Sequence, residues 1–162
     1  MLQPEWLYLY KTEFWKDNDF KYPVGRLHED FALTSLIMLK AKRVASTNVY
    51  GYYYYQSMTS ITRGNNQQKV MKRAMDMLNH YDYMDKKIKE YNITKQTLEN
   101  LKIYYTNNII LKVDDLDKVN QKKYIKEIKR RKILKNIKAR NLKQLLKKII
   151  LNINIKWYLK LR

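Results

Sequence analysis

Glu29 and Asp30 stand side by side just ahead of the apolar run Phe31 to Ala41. A carboxylate in that position has two uses. It can be stabilised by the unsatisfied amide groups and dipole of a helix start. It can also remove a proton from a hydroxyl within hydrogen-bond reach, a general-base role typically worth about 10² to 10⁴ in rate. Taken alone, the pair reads as a helix cap. Asp17, Asn18 and Asp19 give the spacing Asp-x-Asp, whose carboxylates can bracket Mg²⁺ or Mn²⁺, but a turn is the simpler expectation there. Asp115-Leu116-Asp117 reads as a helix start. Without cysteine, disulfides and thiolate metal sites are excluded, and His28 and His80 alone do not make a histidine-built zinc site.

Those residues need elements to hold them. Leu7, Tyr10 and Phe14 recur at helical spacing, which predicts a short amphipathic helix over residues 5–16. Asp17 to Asp19, Pro23 and Gly25 predict a loop over about 17–28, and the apolar face after Asp30 predicts a helix. Residues 43–47 and 49–56 are rich in Val, Thr and Tyr, with a bend at Asn48 or Gly51, and read as two short strands. In a strand the run Tyr52 to Tyr55 would alternate between core and solvent. Ser57 to Gly64 is a polar loop. From Asn65 onward there is neither Pro nor Gly, and three long helices are expected, over about 66–91, 95–111 and 115–160, with breaks at Asn92-Ile93-Thr94 and Asp114-Asp115.

Four phrases in one order, LYKTEFW (9–15), PVGRLHEDF (23–31), ALTSLIMLKAKRV (32–44) and YGYYYYQSMTSITRG (50–64), resemble the family 2 glycosyltransferases of bacterial polysaccharide synthesis. The resemblance implies the acceptor-side end of an A-type fold and an inverting transfer from a nucleotide sugar to a hydroxyl. Asp30 would be the general base and Glu29 would orient it. Tyr10, Trp15, Arg26 and His28 would line the acceptor pocket, because sugars stack on aromatic faces and exchange hydrogen bonds with polar rims. Arg63 would approach the diphosphate leaving group, its planar cationic fork suiting phosphate oxygens. The family carries a strand-helix-strand nucleotide-binding region and an Asp-x-Asp metal motif well upstream of the acidic pair. Neither has a counterpart in this sequence, so the Mg²⁺ or Mn²⁺ of the complete enzyme would find its ligands elsewhere. The expectation is a chain that neither binds a nucleotide sugar nor transfers one by itself.

Charge divides the sequence. Residues 1–64 hold 8 Lys/Arg against 6 Asp/Glu, whereas residues 121–162 hold 16 against the single acid Glu127, within an overall net charge of +19. Such an asymmetry predicts a basic surface that meets an anion. Ile125, Ile128, Leu134, Ile137, Leu142, Leu145, Leu146, Ile149 and Ile153 recur mostly at three or four, as one apolar stripe on a cationic helix, with Trp157 and Tyr158 near its end. An anionic membrane surface fits this stripe, and nucleic acid, supported by charge alone, fits less well. Part of the stripe is also expected to cover the preceding helices. The N-terminus does not read as a secretory signal, and no run reaches the roughly 18 apolar residues of a spanning helix. The expected location is the cytoplasm, peripheral on the inner face of the cell membrane.

Together these features predict a predominantly α, α/β fragment. Residues 1–64 would be the C-terminal part of a glycosyltransferase catalytic domain and residues 65–162 a basic helical extension. Nucleotide sugar and a glycan or lipid-linked acceptor would be the partners of the complete enzyme. The alternative is a non-catalytic basic helical module that binds anionic membrane or nucleic acid.

Overall fold

Helices account for all the regular structure among the residues described by the computed structural model, which are 4–55, 66–139 and 141–160. The chain divides into two units, Met1–Gly64 with Asn79–Asn92, and Asn65–Leu78 with Ile93–Arg162.

The first unit is built on α2 (Asp30–Lys40), in which Ala32 to Ile37 are all buried. A helix hydrophobic all round belongs inside a core, and the lack of breakers between Phe31 and Leu39 lets this one form. Before it come a 3-10 turn (Glu5–Leu7) and α1 (Thr12–Asp17). At the end of α1, Asn18 Nδ2 donates to Phe14 O at 2.8 Å, and Asp19 takes a left-handed conformation. The chain thereby reverses, and Phe20 is driven into the core with Leu33 and Ile37. The second half of α3 (Gln67–Lys87) adds buried Tyr81 and Met84, and its His80 Nε2 lies 2.9 Å from Leu27 O, fastening the loop that leads into α2.

In the second unit, borders follow side-chain caps. Asn66 Oδ1 accepts from the amides of Gln68 and Lys69 at the start of α3. Thr94 caps α4 (Lys95–Leu111), Asp117 caps α5 (Lys118–Arg130) and Asn141 caps α6 (Leu142–Ile153). Asn154 Oδ1 accepts from the amides of Lys156 and Trp157 at the start of α7 (Ile155–Lys160). A 3-10 turn (Ile133–Asn136) packs on α4 and α5. There Thr106 Oγ1 donates to Lys102 O at 2.8 Å and accepts from Asn136 Nδ2 at 3.0 Å, so a fully buried hydroxyl is satisfied on both sides. Tyr124, also fully buried, donates its hydroxyl to Ile109 O at 3.3 Å. No helix among the described residues is long and apolar enough to cross a membrane.

Three expectations are corrected. Residues 5–16 do not form one helix, because residues 8–11 are non-helical between the 3-10 turn and α1. The α/β class fails, because no strand exists among the described residues and 42–55 runs exposed without regular structure. The single helix over 115–160 is instead broken at Lys132, whose φ is 56°, and again before Asn141 and at Asn154. Lys132 follows the α5 C-terminus, where Arg131 and Arg130 are both drawn to Glu127 at 2.9 and 2.8 Å.

Candidate functional site

The reversal after α1 sets the site. Phe20 passes beneath α1 and meets Phe14 and Trp15 edge-on, with ring centroids 5.5 and 5.7 Å apart. Trp15 is left half-buried, with Tyr10 at 5.6 Å and Tyr22 at 5.5 Å. Three rings therefore share one neighbourhood on the first unit, supplied by the segment before α1, by α1 itself and by the loop after it. Offset and tilted aromatic pairs of this kind each add about 0.5 to 1.5 kcal/mol beyond the area they bury.

Acids converge on the same rings. Partial burial, followed by the charges of Glu5, Asp30 and Glu29, pushes the Tyr22 hydroxyl up to about 12. For Tyr10, burial and then the Glu5 carboxylate raise the hydroxyl far above its ordinary range. Both tyrosines thus remain neutral hydrogen-bond donors across the physiological range, beside carboxylates that only accept. Glu5 is anchored by Thr34 of α2, whose buried hydroxyl donates to Glu5 Oε2. Glu5 Oε1 and the Tyr10 hydroxyl lie buried without a partner in hydrogen-bond geometry.

The acidic pair sits where the helix starts, Glu29 as the residue preceding α2 and Asp30 as its first residue. Glu29 has helical dihedrals and makes no capping hydrogen bond through its side chain. Glu29 is exposed and Asp30 half-buried.

Tyr10, Trp15 and Tyr22 thus form one aromatic cluster, and the Asp30 and Glu29 charges contribute, after burial and Glu5, to raising the Tyr22 hydroxyl. Arg26 and His28, both half-buried, ride the loop into α2, with His28 in the left-handed region at φ 56°. Arg63 lies outside the described residues. Glu5 and Tyr22 were not singled out in the sequence. The signal for Glu5 was a lone acid inside the aromatic phrase PEWLYLY, where an unpaired charge would be costly. The signal for Tyr22 was weaker, a tyrosine within a loop.

Asp19 of the Asp-x-Asp spacing pairs with Lys21 at 2.7 Å in the turn. Among the described residues no group of three His, Cys, Asp or Glu side chains is placed to hold a metal ion. Tyr52 and Tyr54 do not alternate between core and solvent in a strand. Both stack on Trp6, with centroids 4.9 and 5.0 Å away.

Comparison with protein-family models, curated proteins and solved structures finds no match for this chain.

Proposed function

We propose that the first unit is the acceptor side of a glycosyl transfer, with Asp30 as general base. The observation that carries this reading is the half-buried Trp15 face, flanked by the Tyr10 and Tyr22 rings, on the same unit as the Glu29-Asp30 pair at the start of α2. Sugar recognition needs an aromatic face for the C–H side of a ring and a rim of donors and acceptors for its hydroxyls. Trp15 offers the face, the neutral hydroxyl of the exposed Tyr22 donates, and Glu29 and Asp30 accept, while the buried Glu5 Oε1 and Tyr10 hydroxyl shape the pocket from behind. The Glu29 side chain is not spent on capping the helix, which leaves its carboxylate to serve a ligand beside Asp30.

In the step itself, an acceptor hydroxyl gives its proton to the Asp30 carboxylate as its oxygen bonds to the anomeric carbon of the donor. The bond from that carbon to the diphosphate oxygen breaks, and the nucleoside diphosphate leaves with the electron pair. The donor site is assigned to residues other than those described.

A glycan array probed with the chain tests the reading. Binding to hydroxyl-rich glycans is expected, and Trp15→Ala should weaken it at least about tenfold, the loss of one stacking contact of roughly 1.4 kcal/mol. Asp30→Asn should leave binding within about threefold, since an amide still hydrogen-bonds a hydroxyl. Absence of glycan binding by a folded chain overturns the proposal. Calorimetry with a UDP-sugar and divalent metal should show no binding, and micromolar affinity would refute the assignment of the donor site elsewhere.

A further inference from the structure

α6 is amphipathic in the reverse sense from a helix that packs on its own protein. Leu142, Leu145, Leu146, Ile149 and Ile153 fall on one face at helical spacing, and with Trp157 of α7 they are between 45 % and 79 % exposed. Leu151, the one buried residue of α6, lies half a helical turn away, on the opposite side. Ile155 continues the buried side into α7, which packs against α6. The helix is therefore anchored through its narrow face and turns its wide apolar stripe to solvent. Monomeric soluble chains rarely leave a contiguous apolar surface of this kind uncovered.

Charge identifies what covers it. Lys143, Lys147, Lys148, Lys156 and Lys160 share α6 and α7 with the stripe, and the sequence contains no acid after Glu127. A second copy of the chain laid stripe to stripe would bring two such lysine sets together without a single carboxylate to separate them. A surface of anionic headgroups over acyl chains instead takes the apolar residues inward, while the lysines reach back to the phosphates along their aliphatic stems. Trp157 and Tyr158 stand at the end of the stripe, and rings with one polar edge favour the depth at which headgroups meet chains.

We infer that α6 and α7 form an in-plane anchor for an anionic lipid bilayer. The anchor does not depend on the sugar-site reading, and each can fail without the other. If both hold, the acceptor handled by the first unit belongs to the lipid-linked class.

Co-sedimentation of the full chain with vesicles tests the anchor. Mixed phosphatidylcholine and phosphatidylglycerol vesicles should bind it, and pure phosphatidylcholine vesicles should bind it far less. Replacing Leu146→Ser with Ile149→Ser, both exposed and so neutral for folding by circular dichroism, should weaken binding about 100-fold through lost apolar burial at unchanged charge. Lys143→Gln with Lys156→Gln should weaken binding to the anionic vesicles alone, about 30-fold. Binding that ignores the Leu146 and Ile149 replacements overturns the inference. So does a dimer in sedimentation equilibrium that those replacements dissociate while vesicles bind nothing, or salt-sensitive DNA binding in place of vesicle binding.

Discussion

Thr34 tests how the site is held, because one hydroxyl joins the segment carrying Tyr10 to α2. It is almost wholly buried, and its hydroxyl donates to Glu5 Oε2. The Asp30 carbonyl, 3.0 Å away, is a second acceptor for the same single proton. Thr34→Val keeps the shape and removes the donor. A hydrogen bond to a charged group is worth about 1.5 to 3 kcal/mol, and the Glu5 carboxylate would keep its burial while losing its partner, so a cost of about 2 kcal/mol is expected. Thr34→Ser keeps the donor and deletes one buried methyl, at a cost of about 1 kcal/mol. The expected order of stability is Thr, then Ser, then Val. Urea unfolding followed by tryptophan fluorescence measures it, in a Trp157→Phe background so that only Trp6 and Trp15 of the first unit report. A double-mutant cycle with Glu5→Gln should reveal a coupling of at least about 1 kcal/mol, because the valine then no longer strands a charge. If Val proves as stable as Ser, or the cycle is additive, Glu5 and Thr34 are not the clasp described above.

Other consequences are local. Asp117 accepts from the Asn120 amide at 2.8 Å, so Asp117→Ala should lower the stability of the second unit by about 1 kcal/mol, with faster amide exchange in the first turn of α5, whereas Asp117→Asn should be nearly neutral. Burial raises the Tyr124 hydroxyl above its unfolded value of about 10. A raised folded-state value means that the stabilisation is complete below about pH 10 and is lost as pH climbs past it. Thermal melts from neutral to alkaline pH should show that decline, and Tyr124→Phe should flatten it while costing about 1 kcal/mol at neutral pH for the bond to Ile109 O. An identical alkaline slope in the variant would count against the assignment.

What the sequence disclosed and what it hid divides along the range of the interaction. The α2 helix was legible from its unbroken apolar run, and the starts of α4 and α5 depend on side chains within a turn of each border, so Thr94 and the Asp115 to Asp117 phrase were legible. The strand reading of 43–47 and 49–56 rested on propensity, which measures how well a side chain fits a pleated, half-buried surface and does not supply the neighbouring strand. Here Thr47 Oγ1 takes the Val49 amide at 3.2 Å, a local bond that competes with any ladder, and Tyr52 and Tyr54 find Trp6 instead of a sheet face. The breaks after Arg131 and at Asn141 and Asn154 carry no glycine or proline to announce them. An asparagine serves as readily within a polar helix face as at its cap, so its role is decided by packing. The acidic pair was visible as a pair, but its company was not, since Glu5 reaches Thr34 across 29 positions.

The basic tail marks the sharpest limit. Spacing disclosed an apolar stripe, and a stripe says only that something apolar will lie against it. Whether the chain covers its own stripe is decided by which residue of the helix is buried. In α6 that residue is Leu151, which the nine-residue stripe read from the sequence omits, whereas Leu142, Leu145, Leu146, Ile149 and Ile153, which it includes, face solvent. Ile128 and Leu134 of the same stripe are buried in the second unit, so one periodic pattern lies in the core before Asn141 and faces solvent after it. The Asn141 cap, by starting α6 afresh, frees its orientation from that of α5 and allows the pattern to pass from buried to exposed there.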